Sequence, residues 1–217
     1  MLLNSKKGFL FFILLIVIKN LSAQSVSDAF TPKQLTWYGL DFSKAKFVGI
    51  FANTGVKENK PPQDLRDLYF PAWNNVIVEE KKKYDLAKFF SKDVVKYNLS
   101  KVTAINAAVN LDSMMLDKTA PSLSQAQLEE IISKYVNKDT SGLGLVFVIE
   151  SFDRVQNLGI MRAVFFDIPT GKIVFSKRAK SGADGMGVRN YWIKSVYSSM
   201  RVMEENWKKW KTEAGIK

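Results

Sequence analysis

The 217-residue chain contains neither cysteine nor histidine. Without cysteine there are no disulfides, no thiol nucleophile and no thiolate metal ligands. Without histidine there is no Ser-His-Asp triad, no His-held haem and none of the usual zinc sites. No cofactor and no metal are expected. The missing cysteine also excludes the lipid-bearing residue of a bacterial lipoprotein. Long hydrophobic runs are lacking too. The apolar run from Gly8 to Ile18 is 11 residues, whereas a membrane-spanning helix takes about 20.

That run has the layout of a secretory signal. Lys6 and Lys7 precede it, and Lys19-Asn-Leu-Ser-Ala-Gln-Ser follows. Small residues around Ser22 and Ala23 suit a signal peptidase. The expectation is a signal peptide over residues 1–23, a mature chain from Gln24 with no transmembrane segment, and a periplasmic or secreted location. Residues 24–217 show no repeat, low-complexity tract or linker, so they are expected to form one domain.

Charge is unevenly placed. The whole chain has 32 Lys and Arg against 21 Asp and Glu, for a net +11. From Lys172 to Lys217 there are 11 basic and 4 acidic residues, while residues 24–171 are nearly balanced at 18 and 17. A basic C-terminal part suits an anionic partner, or simply a solvated helix face. For an exported chain the expected partner is an envelope protein or anionic polymer, not nucleic acid.

Hydrophobic periodicity predicts an α/β fold. Residues 35–51 carry aromatic and β-branched residues as one or two strands around Asp41–Lys46. Residues 52–63 form a loop. Leu65, Leu68, Tyr69, Trp73, Ile77 and Val78 have helical spacing, broken or kinked at Pro71, and Glu79–Lys83 make a solvated helical face. Residues 94–110 look strand-like. Ser124 and Gln127 form a capping pair for a helix whose stripe is Leu128, Ile131, Ile132 and Tyr135. Residues 143–152 are almost continuously apolar, as in a central strand covered on both faces. A strand at 160–168, a Pro169-Thr170-Gly171 turn and an edge strand at 172–181 complete an antiparallel C-terminal meander. Over 185–211, Val188, Trp192, Val196, Met200, Met203, Trp207 and Trp210 recur on one face of a long amphipathic helix. The predicted fold is a mixed sheet with this meander, packed by helices.

Two groups of residues invite a chemical reading. Glu150, Asp153 and Asp167 lie near strand ends; converging carboxylates serve glycoside hydrolysis or hold a hard cation. The spacing shows no calcium loop, and Asp167 also suits a turn cap. The second group is the glycine loop, Gly182-x-x-Gly185-x-Gly187, between strand and helix. It is neither a Walker loop nor a dinucleotide fingerprint, and Asp184 within it repels phosphate and suits a helix cap. A structural corner is the expected role. Gly182, Gly185, Gly187, Arg189, Lys208 and Lys209 are nonetheless the candidate anion or partner surface.

The order strand, strand, Asp167-Ile-Pro-Thr-Gly-Lys-Ile-Val-Phe175, glycine loop and closing helix, over residues 143–210, resembles small bacterial envelope domains. Among them are the N-terminal domain of TolB, the periplasmic part of the curli secretion protein and the lipoprotein activators of peptidoglycan synthases. The Leu-Ser-Ala-Gln region and the Lys, Asn and Phe-rich composition resemble exported proteins of the Bacteroidota. The resemblance implies a partner-binding or assembly module without catalysis. The alternative is a carboxylate-dependent hydrolase of an envelope polymer.

Overall fold

The computed structural model describes residues 23–31, 33–51 and 60–216. The expected signal, up to residue 22, and most of the expected 52–63 loop lie outside them. The elements in chain order begin with α1 (Val26–Phe30), β1 (Gln34–Asp41) and β2 (Lys46–Val48). A helix then opens as α2 (Pro62–Asp64), passes through a π-helical turn at Leu65–Tyr69 and continues as α3 (Phe70–Glu79). Next come α4 (Leu86–Phe89), β3 (Val94–Tyr97), α5 (Ser100–Ala107), β4 (Met115–Leu116) and α6 (Gln125–Ser133). The chain ends with β5 (Leu143–Asp153), β6 (Leu158–Asp167), β7 (Ile173–Gly182) and α7 (Gly187–Glu213).

The fold is mixed α/β, with a parallel-rich sheet and a long C-terminal helix. The central strand is β5, and all eleven of its residues are buried. Along one side of β5, β1 and β2 lie end to end, both parallel to it. Strand β3 adds parallel to β1, and β4 adds parallel to β2. On the other side β6 and then β7 pair antiparallel. The expected meander is thus present in the adjacency of β5, β6 and β7, but its first strand also anchors the parallel half.

Each face of the sheet carries its own core. The larger one joins Trp37, Phe147, Met161 and Phe165 of the strands to Phe70 and Trp73 of α3, Phe89 of α4 and the stripe of α7. The smaller joins Tyr38, Val146, Val148, Val164 and Phe166 to Val102 of α5 and to Leu128, Ile131, Ile132 and Tyr135. The stripe of α7 is buried from Val188 to Trp207 as its period demands, and Trp210 is half-buried. The capping pair also forms: Gln127 N–H donates to Ser124 Oγ at 3.3 Å, and Ser124 N–H donates to Gln127 Oε1 at 2.9 Å.

Three expectations need correction. Residues 94–110 are a four-residue strand and then α5. The β-branched Val102, Thr103 and Ile105 favour a strand locally, but Val102 is wholly buried against β1 and tertiary packing wins. Of the break or kink expected at Pro71, the break is absent. Proline cannot donate to a carbonyl one turn back, and the irregularity appears as the π turn just before α3. Glu79–Lys83 are exposed, but helix α3 stops at Glu79, so the charged run is mostly a turn.

A polar lock fixes the point where β1 outruns β3. Their pairing ends at Trp37 and Tyr97, and the next backbone groups need other partners. Leu40 N–H donates to Asn74 Oδ1 at 2.7 Å, and Asn74 Nδ2 returns a bond to Leu40 O at 3.1 Å. Asn106 Oδ1 accepts from Phe42 N–H at 2.9 Å, and its Nδ2 donates to Leu40 O at 2.9 Å. Gly39, with φ +111°, lets both helices come this close: a β-carbon there would lie 2.6 Å from Asn74 Oδ1 and from Val102 Cγ1.

Candidate functional site

Doubly wound sheets usually open a ligand crevice beyond the carboxyl ends of their parallel strands. Here part of that space is filled by aromatic rings. Beyond β1, Phe42 stacks on Phe70 with ring centres 4.2 Å apart, and Phe47 meets Phe152 edge-on at 5.8 Å. Trp73 meets Phe152 edge-on at 5.2 Å. Trp192 completes the cluster, stacked on Phe152 at 4.7 Å and on Phe51 at 5.0 Å. Open space remains beside the end of β1, in a cleft between the π turn, α3 and α5 lined by Arg66, Asp67, Asn74, Thr103 and Asn106, whereas over Trp192 only the surface is open.

The surface is built by the glycine loop. Gly185 and Gly187 have φ of +125° and +75°, conformations that side chains with a β-carbon resist. They turn the chain from β7 into α7, whose first turn is held from α3: Trp73 Nε1 donates to Arg189 O at 2.9 Å. With Ile50, Phe51, Arg154, Val188, Tyr191 and Trp192 they line a shallow dent of about 20 Å³. Arg154 lies over the Tyr191 ring at 4.3 Å, and both side chains bond Asn157 Oδ1, at 3.0 and 2.6 Å. Around this dent three large apolar side chains project into solvent: Ile50 at 51%, Val155 at 72% and Met186 at 84% exposure. Ile50 and Val155 are neighbours, because Val155 Cγ2 sits 3.1 Å from where a β-carbon on Gly49 would stand.

The candidate surface residues divide. Gly185, Gly187 and exposed Arg189 belong to this end of the molecule, and Gly182 closes β7 beside it. Lys208 and Lys209 do not. They lie on the same helix some 20 residues on, about 30 Å along its axis at 1.5 Å per residue. Asp184 does not cap α7 either: its Oδ1 accepts from the neighbouring Gly185 N–H at 2.8 Å, and Met186 holds the cap position.

The three carboxylates do not converge. Glu150 is buried between Arg162 and Arg178, with Nε to carboxylate distances of 3.0 and 2.7 Å. Asp153 accepts from the backbone and side chain of Gln156 at 2.9 and 2.8 Å. Asp167 pairs across from Leu143 at the far end of β5, roughly 30 Å from Asp153 at 3.3 Å per residue. There it accepts from Thr170 Oγ1 at 2.5 Å and from Gln24 N–H at 3.1 Å. Among the described residues no three Asp or Glu side chains group as metal ligands.

The pattern missed Ile50, Val155 and Met186. A signal was present: Val155 sits in an Asp-Arg-Val-Gln-Asn turn and Met186 between two glycines, places where an apolar residue has no core to enter.

The fold is α/β, with an aromatic cluster packed at the strand ends and an apolar, cation-bordered tip. No protein-family model matches the chain, and no curated protein matches it in sequence. Among the described residues no helix is long and apolar enough to cross a membrane.

Proposed function

We propose that this chain is an exported binding or assembly module of the bacterial envelope, periplasmic or secreted, with no catalysis of its own. Its docking surface is the tip around the glycine loop. One observation carries the reading: Ile50, Val155 and Met186 project from a single end, beside exposed Arg154 and Arg189. Exposed apolar groups gathered in one place mark an interaction surface, whereas singly scattered ones do not. The cations beside them favour an anionic partner. The signal-like N-terminus and the resemblance of residues 143–210 to envelope domains support the same reading. On it, the antiparallel meander β5–β6–β7 is the frame that holds the tip. The internal engagement of Glu150, Asp153 and Asp167 weighs against the hydrolase.

Site-specific photocrosslinking in the host envelope tests this. A photoreactive residue at Val155 or Met186 should give one shared adduct. The same group at Leu68, also exposed but on the π turn, should give none. Equal labelling from all three positions refutes the tip as the docking surface.

A further inference from the structure

A second surface lies along β7. Strand edges carry unpaired backbone donors and acceptors that invite another strand. Two edges of this sheet are blunted by shortness, since β3 has four residues and β4 two. Strand β7 has ten residues and, among the described residues, pairs only with β6. Its lower end is flanked by α1, where Phe30 meets Phe175 at 4.8 Å. From Ser176 to Gly182 the outer edge has no strand beside it among the described residues.

The side chains on this stretch say what fits. On one face lie Arg178 and Lys180, both exposed. Arg178 reaches back to Glu150, and Lys180 makes no ion pair among the described residues. On the other face Lys177 lies over the rings of Phe175 and half-buried Trp210, at 5.7 and 5.2 Å, and pairs with Glu213 of α7 at 3.6 Å, which leaves Lys180 as the cation to be met. No acidic residue occurs between Ile168 and Ala183. A second copy of β7 is a poor occupant. A two-fold pairing centred on Ala179 sets Arg178 against Lys180, and one centred on Arg178 sets it against itself. Like charges directly opposite one another oppose pairing.

We infer that β7 accepts an extended acidic segment of a partner protein as an added strand. The segment carries carboxylates at alternate positions, facing Arg178 and Lys180, and apolar residues between them, toward Phe175 and Trp210. Backbone hydrogen bonds supply affinity and the alternating side chains supply selectivity. This surface is separate from the tip, and its test is independent of the tip's.

The test uses three synthetic peptides of about ten residues, enough to span the free stretch. One alternates valine and glutamate. The second replaces glutamate by lysine. The third is the valine-glutamate peptide with alternate amides N-methylated, which removes donors from one edge and leaves the charge unchanged. Fluorescence anisotropy should detect the first peptide alone, with binding that weakens as salt rises. Hydrogen exchange should show β7 amides newly protected. Lys180→Glu should weaken binding about fivefold, since the reversal replaces attraction by repulsion. Equal binding of the methylated peptide reduces the contact to charge alone and overturns the inference. Absence of binding by the first peptide, with the protein folded, overturns it as well.

Discussion

Lys92 offers a sharp test of the energetics. It is a lysine only 6% exposed. Its ammonium donates to Asp28 O at 2.9 Å and Thr31 O at 2.6 Å, closing the carboxyl end of α1. Burial pushes its pKa down to about 8 from an ordinary 10.5; Asp28 and Asp93 oppose that shift, and Lys33 adds to it. The sign follows from proton counting. Below about pH 8 folded and unfolded chains both hold the proton. Between about 8 and 10.5 the unfolded chain keeps a proton that the folded protein has released, so stability climbs with pH. Above that window the gain is complete, and it amounts to about 3 kcal/mol at 1.36 kcal/mol per pH unit. Urea unfolding of the wild type and of Lys92→Met across the window measures it, because other titrating groups cancel in the difference. The wild type should gain on the variant as pH rises. Parallel curves would mean that the two carbonyls and the helix end hold the ammonium charged, and the desolvation reasoning would fail.

Trp192→Ala should cost about 3–5 kcal/mol of a total of about 5–15, read as a large fall in denaturation midpoint, because the ring is stacked between two phenylalanines. The exposed pair Lys208→Ala with Lys209→Ala should leave that midpoint nearly unchanged; equal losses would show the faces of α7 to be misassigned. Gly39→Ala should destabilise by at least about 1 kcal/mol from its positive φ, and by more from the clash with Asn74. A thermal shift of Gly39→Ala indistinguishable from wild type would mean that the polar lock is not needed.

What was legible in the sequence was what a single element decides for itself. The burial of α7 follows from its 3.6-residue period, and that of β5 from an unbroken apolar run. The capping pair at Ser124 and Gln127 needs only three residues of spacing. The rest depended on distant partners. Strands β2 and β4 are three and two residues long, too short for any period, and exist because β5 offers an edge to β2 and β2 one to β4. Helix α5 has strand-forming residues and is held by contacts with Gly39 and Leu40 some sixty residues away. The carboxylates lay near strand ends, but proximity along a strand says nothing of which end of the sheet each occupies. The glycine corner was recognisable, whereas its apolar rim was not, because exposure is a property of the assembled end.

The placement of β5 also sets a timetable. Leu35 pairs with Leu143, and Phe47 with Phe152. A ribosome adding about 5–20 residues per second takes roughly 5–20 s to cross the intervening hundred or so residues. Through that interval β1 carries Leu35, Trp37, Tyr38 and Leu40 with no central strand to receive them. Non-local pairing of this kind folds slowly even once the chain is complete. The nascent protein is thus a client for any chaperone that reads exposed apolar segments, and its own N-terminal strand is the segment to shield.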